Sequence, residues 1–253
     1  MNLLTSLRKE MIEQWRTSRL LVLAIVLLVF GLTSPLLAKY TPEMLKLIPG
    51  AEQFAGLVPK PTMVDAVAQY IKNIGQFGVL LALLMSMGTM VVEKERGTAA
   101  LMLVKPLPRG SFLAAKFLAL ALGFLAALAL AALAGYYYTL VLFGALDWSA
   151  WLALNGLMWL EMLVYVALTM LFSTLLRSQA AAAGLGLGAI LVLSLVGSLP
   201  TLLGDAMPDK LVSWGASLFS AQAVPAWPAV WVSLGIILAS LLAAWVSFRK
   251  QEL

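Results

Sequence analysis

Six stretches of the chain are apolar for long enough to cross about 30 Å of hydrocarbon, and the polar residues gather in blocks between them. They cover residues 20–38, 71–92, 117–143, 151–176, 180–203 and 229–248. Runs of this kind predict membrane-spanning helices, because a helix satisfies its own backbone polar groups where no water is present. The expected fold is an all-α polytopic membrane protein, with residues 1–253 forming a single transmembrane domain. An even number of spans places both termini on one side.

The polar blocks carry structure of their own. Within residues 1–19, Leu3, Leu4, Leu7, Met11, Ile12 and Trp15 recur at helical spacing, with Lys9, Glu10, Glu13, Gln14 and Arg16 on the other face. That pattern predicts an amphipathic helix in the membrane interface, with Arg8 snorkelling out of the apolar arc. Packing of the same helix against another part of the protein is the alternative. The charged lead before the first span is long and no small-x-small cleavage site follows it, so the span is read as an uncleaved anchor. Residues 39–70 carry Pro42, Pro49, Pro59 and Pro61 and predict a broken, partly helical cap. Residues 204–228 leave room for one short helix.

Composition agrees with a membrane class: 62% of residues are hydrophobic, 11% are charged, and the mean hydropathy is +0.96. The chain has no Cys and no His, which removes thiol chemistry, imidazole bases and the common ligands of zinc and haem. Charge then supplies orientation. Of the 17 Lys and Arg residues, twelve (Arg8, Lys9, Arg16, Arg19, Lys94, Arg96, Lys105, Arg109, Lys116, Arg177, Arg249 and Lys250) fall on the side of the termini. Lys39, Lys46, Lys60, Lys72 and Lys210 fall on the other, so the positive-inside rule predicts a multi-pass protein of the plasma (inner) membrane with both termini cytoplasmic. Tyr40, Tyr70, Tyr136, Tyr137, Tyr138, Trp148, Trp151, Trp214, Trp227 and Trp231 cluster near the predicted outer boundary, and Trp15 and Trp245 near the inner one. Basic residues spread over the membrane boundaries give no patch for nucleic acid.

Residues 93–116 hold the most informative pattern. Glu93, Lys94, Glu95 and Arg96 make a charged exit from the second span, Gly97 a hinge, and Thr98 a helix N-cap. Residues 99–104 are apolar and suffice for about two helical turns, which Pro106 and Pro108 end. Six apolar residues are too few to span a bilayer and too many to leave in water, so this short helix requires a partner.

In this segment the chain resembles the permease subunits of ABC transporters of the ABC type-2 family, whose second span leads into a Glu-x-Glu-x-Gly-Thr segment, a Leu-rich helix, a Pro and a basic residue. The matching positions are Glu93, Glu95, Gly97, Thr98, Leu101, Leu103, Pro106 and Arg109, with Lys116 opening the third span and Arg96 inside the motif. The resemblance implies a coupling helix seated in a groove of a separate ABC ATPase subunit. It further implies no cofactor on this chain, with ATP and Mg on the partner, and a pairing of two such permeases in the membrane lipid. The sequence has no Gly-x-x-x-x-Gly-Lys-Ser/Thr phosphate loop of its own.

Glu161 is an acidic residue deep in a span and is expected to face the bundle or a wet cavity, contacting substrate, coupling to protons, or standing as a protonated group hydrogen-bonded to a neighbouring helix. Small residues at every fourth position mark packing seams: Ala115, Ala119, Gly123, Ala127, Ala131 and Gly135 in the third span, and Ala180, Gly184 and Gly188 in the fifth. The fifth-span seam fits an intramolecular contact or a subunit interface equally. Three functions remain open on these residues: a permease, leaning to export; an intramembrane enzyme built on Glu161; and a membrane scaffold or sensor.

Overall fold

The computed structural model describes residues 3–47, 59–95, 109–220 and 223–251. The described residues are helical apart from short connections and contain no strand. In chain order the helices are α1 (Leu3–Arg16), α2 (Arg19–Lys46), α3 (Met63–Ser86), α4 (Val91–Glu95), α5 (Arg109–Phe143), α6 (Trp148–Leu175), α7 (Gln179–Gly197), α8 (Asp209–Ser217) and α9 (Trp227–Lys250), with a 3₁₀ turn at Gly204–Ala206. Six are long and apolar enough to cross a membrane: α2, α3 with α4, α5, α6, α7 and α9.

Several helices outrun their apolar stretches. Polar residues add turns to a helix once its ends reach water or headgroups, as at Met63, where the Thr62 amide donates to the Asp65 carboxylate at 2.7 Å, and at Arg109. The fifth span instead stops at Gly197, and residues 204–217 form the 3₁₀ turn and the short helix α8.

Helix α6 is the most buried span and α7 the least. Helix α2 lies along α5 and α3, and α9 lies along α6. The third-span seam is intramolecular: Ala115, Ala119, Ala127 and Ala131 are fully buried, and a Cβ on Gly31 of α2 would stand 2.5 Å from the Ala131 carbonyl oxygen. The fifth-span residues Ala180, Gly184 and Gly188 are exposed, with no atom within 4 Å of a Cβ built on either glycine. The intervening stripe of Ala182, Gly186 and Ile190 is the one that packs inward, Gly186 against Thr169.

Several buried polar groups in the spans are hydrogen-bonded across helices. Tyr70 donates to Asn155 at 2.7 Å, Asn73 to Ser34 at 3.0 Å, and the Trp151 indole to the Ala132 carbonyl at 3.0 Å, which ties α2, α3, α5 and α6 together.

Candidate functional site

One end each of α5, α6 and α9 meets α1 and α4 at the face carrying the chain termini. The second span does not reach this face as one helix. It breaks after Ser86, and the amides of Met90 and Val91, which lose helical partners there, donate to the Ser173 hydroxyl of α6 at 3.0 and 3.3 Å. The single turn α4 then presents Glu93, Lys94 and Glu95.

Glu93 is buried and its Oε1 accepts from Lys116 Nζ at 2.7 Å; the same ammonium donates to Glu10 Oε2 at 3.0 Å. Lys116 sits two turns inside α5, is 5% exposed, and lies 5.0 Å from the centre of the Phe112 ring. One lysine thus joins three elements: the interface helix, the end of the second span and the start of the third. Lys9 completes the group, 3.1 Å from both Glu10 and Glu13 and 3.8 Å from Glu93. Burial works against the Lys9 ammonium, but Glu10, Glu13 and Glu93 outweigh it and hold its pKa above the usual 10.5. The carboxylates of Glu10, Glu13 and Glu93 lie within 4.8 Å of one another, a spacing that suits a metal ion, but each already pairs with one or both of the ammonium groups of Lys9 and Lys116. Beside them is a cavity of about 110 Å³ whose lining includes Gln14, Thr17, Arg19, Thr89 and Lys116.

The amphipathic α1 therefore packs with its polar stripe inward. Ser6 and Glu10 are buried, whereas Leu4, Ile12 and Trp15 are exposed. Ser18, with φ of 57°, makes the elbow into α2 in the left-handed region that β-branched residues avoid.

Two further basic residues flank the segment implied to couple. Lys94 donates to the carbonyls of Thr174 and Leu176, both at 2.8 Å, at the C-terminal end of α6. Arg109 Nη1 donates to the carbonyls of Phe248 at 2.9 Å and Arg249 at 2.8 Å, at the C-terminal end of α9. Cations at helix C-termini satisfy orphan carbonyls and meet the negative end of the dipole.

Of the residues singled out in the sequence, the structure brings Glu93, Arg109 and Lys116 to one face and leaves Glu95 exposed. Arg96, Gly97, Thr98, Leu101, Leu103 and Pro106 lie outside the described residues. The sequence reading did not single out Glu10, Lys94 and Ser173. Glu10 and Lys94 carried a signal, since a charge on an amphipathic helix and a lysine at a span end both need an address; Ser173 carried none. Glu161 is elsewhere: it is buried in α6, its Oε1 accepts from Tyr165 at 2.7 Å, and Asp209 of α8 is within electrostatic range. Burial raises the Asp209 carboxyl above its usual 3.8, and its Oδ1 has no hydrogen-bond donor.

A family model described as an ABC-2 family transporter protein matches residues 4–253. The chain is also similar to the "Uncharacterized transmembrane protein YxlG" of Bacillus subtilis (strain 168), at 29% identity over 196 residues, which are 76% of this chain and 75% of that protein.

Proposed function

This chain belongs to the ABC-2 transporter family, and we propose that it is the permease of an ATP-driven exporter, worked by a separate ATPase subunit that docks on residues 96–108. Membership in the family makes it a multi-pass membrane component of a transporter. The docking reading is supported above all by how the two flanks of that segment are held. Glu93 and Lys116 tie them to each other and to α1, Lys94 ties one flank to the end of α6, and Arg109 ties the other to the end of α9. Four helix ends are thus joined to a segment of thirteen residues. A partner that pushes on the segment moves those ends together, because charge-assisted bonds at a low-dielectric boundary resist stretching.

The partner would hold ATP and Mg, as the 253 residues contain no phosphate loop. The asymmetry of Lys and Arg supports a plasma (inner) membrane protein with cytoplasmic termini, which puts the docking segment on the side where ATP is found. The outward-turned Leu4, Ile12 and Trp15 of α1 suit the lipid interface there. The open face of Gly184 and Gly188 supports pairing of two permeases along the fifth span, where small residues allow close backbone approach. Export is favoured because the polar cavity of about 110 Å³ lies at the docking face. Glu161, bonded to Tyr165, is the polar group assigned to the cargo path.

Copurification tests the reading. The chain is expected to bring down an ATP-binding protein from membranes, and Gly97→Leu or Leu101→Glu is expected to break that association. Binding that survives both substitutions refutes docking on this segment. Transport that continues when the partner's phosphate-loop lysine is replaced refutes ATP drive. Activity that needs Glu161 but no ATPase would instead establish the intramembrane enzyme.

A further inference from the structure

The first turn of α5 and the last turn of α9 enclose an open groove of about 530 Å³, lined by Arg109, Gly110, Ser111, Trp245 and Arg249. Its chemistry is one-sided. Arg109 is held against the helix-end carbonyls by Nη1 alone, and Arg249 lies with its guanidinium carbon 4.9 Å from the centre of the Trp245 ring. Among the described residues neither arginine has a carboxylate partner, and no hydrogen bond engages the Ser111 hydroxyl or the Trp245 indole N–H. Two guanidinium groups, an indole N–H, a hydroxyl and the unpaired amides that open a long helix all donate; little in the groove accepts. A ligand that only accepts, and that carries negative charge, is its complement.

Position narrows the ligand. The groove lies where two spans end, and Trp245 forms its wall, at the depth where amphipathic rings meet lipid headgroups. Gly110 keeps the wall open, since a Cβ there would stand 3.2 Å from the Trp245 indole nitrogen. The geometry points to a binding site for the phosphate ester of an anionic phospholipid, clamped between Arg109 and Arg249 with the acyl chains along α5 and α9. The site depends on the chain spanning a membrane and not on the transport reading. A choline headgroup would bring its cation against the two arginines and is disfavoured.

Delipidated full-length protein in detergent is titrated with phosphatidylglycerol and, separately, with phosphatidylcholine, and bound lipid is counted by native mass spectrometry. Phosphatidylglycerol is expected to bind more tightly. Arg249→Gln is expected to weaken it about fivefold, the effect of one cation near a lipid phosphate. Gly110→Leu, which fills the groove without changing charge, is expected to abolish the preference. Far-UV circular dichroism and gel filtration check the fold of each variant, and Ser111→Ala carries the test if either misfolds, with a smaller loss expected. Equal binding of the two lipids by the unaltered protein, or unchanged phosphatidylglycerol binding in the folded variants, overturns the site. Inorganic phosphate at millimolar concentration that displaces the lipid completely would make it a site for a free anion and overturn the lipid assignment.

Discussion

Lys116 Nζ stands 2.7 Å from Glu93 Oε1, so the flank that leads into the docking segment is ion-paired to the third span 23 positions later. Both side chains are more than nine-tenths buried, and Glu10 shares the ammonium. Removing the lysine takes from two buried carboxylates their most buried cation, while the more exposed Lys9 stays 3.1 Å from Glu10 and 3.8 Å from Glu93. Lys116→Met should therefore cost about 3–5 kcal/mol, read as a fall in thermal midpoint in detergent. Adding Glu10→Gln and Glu93→Gln to the same protein should restore much of the loss, because the two buried carboxylate charges that Lys116 neutralised are then gone as well. A single substitution as mild as the triple one would show the cluster to be open to water.

Ser173→Ala should expose the break in the second span. The hydroxyl accepts from the Met90 and Val91 amides, and both residues are fully buried. Leaving those amides unpaired costs about 1–3 kcal/mol each, and hydrogen exchange at positions 90 and 91 should quicken. Ser173→Thr keeps the acceptor and should stay close to the unaltered protein.

Glycines of the two seams should respond in opposite ways. Gly31→Val drives a side chain into the Ala131 backbone and should lower the folded yield sharply, since neither helix can retreat without opening the core. Gly184→Val meets nothing within 4 Å and should leave the monomer's thermal midpoint within about 0.5 kcal/mol of the unaltered protein. On the pairing proposed above, it should weaken self-association, measured by single-molecule photobleaching in vesicles.

Asp209 should make stability depend on pH. Its carboxyl is raised above 3.8 by burial, so the folded state favours the protonated form and the ionised form destabilises it. The penalty is fully present above the raised value and fades as pH falls through it towards 3.8. Asp209→Asn should therefore raise the thermal midpoint at pH 7, and the advantage should shrink as the solution is acidified. Glu161 and Tyr165 feel the Asp209 charge and Lys210 offsets it, so the difference between the two proteins reports Asp209 together with its coupling to these groups.

The spans were legible in the sequence because apolar length is a one-dimensional signal, and so was the small-residue seam that α2 covers. Other features needed three dimensions. Glu10 read as a solvated charge on an amphipathic helix, since nothing local to residues 1–19 announces Lys116. The break after Ser86 was hidden because Met87, Met90 and Val91 carry the apolar stretch on past Ser86, Gly88 and Thr89, and the hydroxyl that completes it belongs to another span. In the fifth span the inward stripe is Ala182, Gly186 and Ile190, two positions along from the regular repeat and so on the opposite side of the helix, with Gly186 against Thr169. Asp209 lies outside every apolar stretch, so its approach to Glu161 follows only from how α8 folds back.

The central claim is that a separate ATPase docks on residues 96–108. The chain has no native cysteine, so a single Leu101→Cys variant can carry a photo-cross-linker without background. Irradiated in membranes from its own cells, it should give an adduct containing a protein with a phosphate-loop motif, whereas the same label at Lys60→Cys, on the opposite face, should not. An adduct at Lys60 and none at Leu101, or a Leu101 adduct whose partner lacks that motif, would contradict the account.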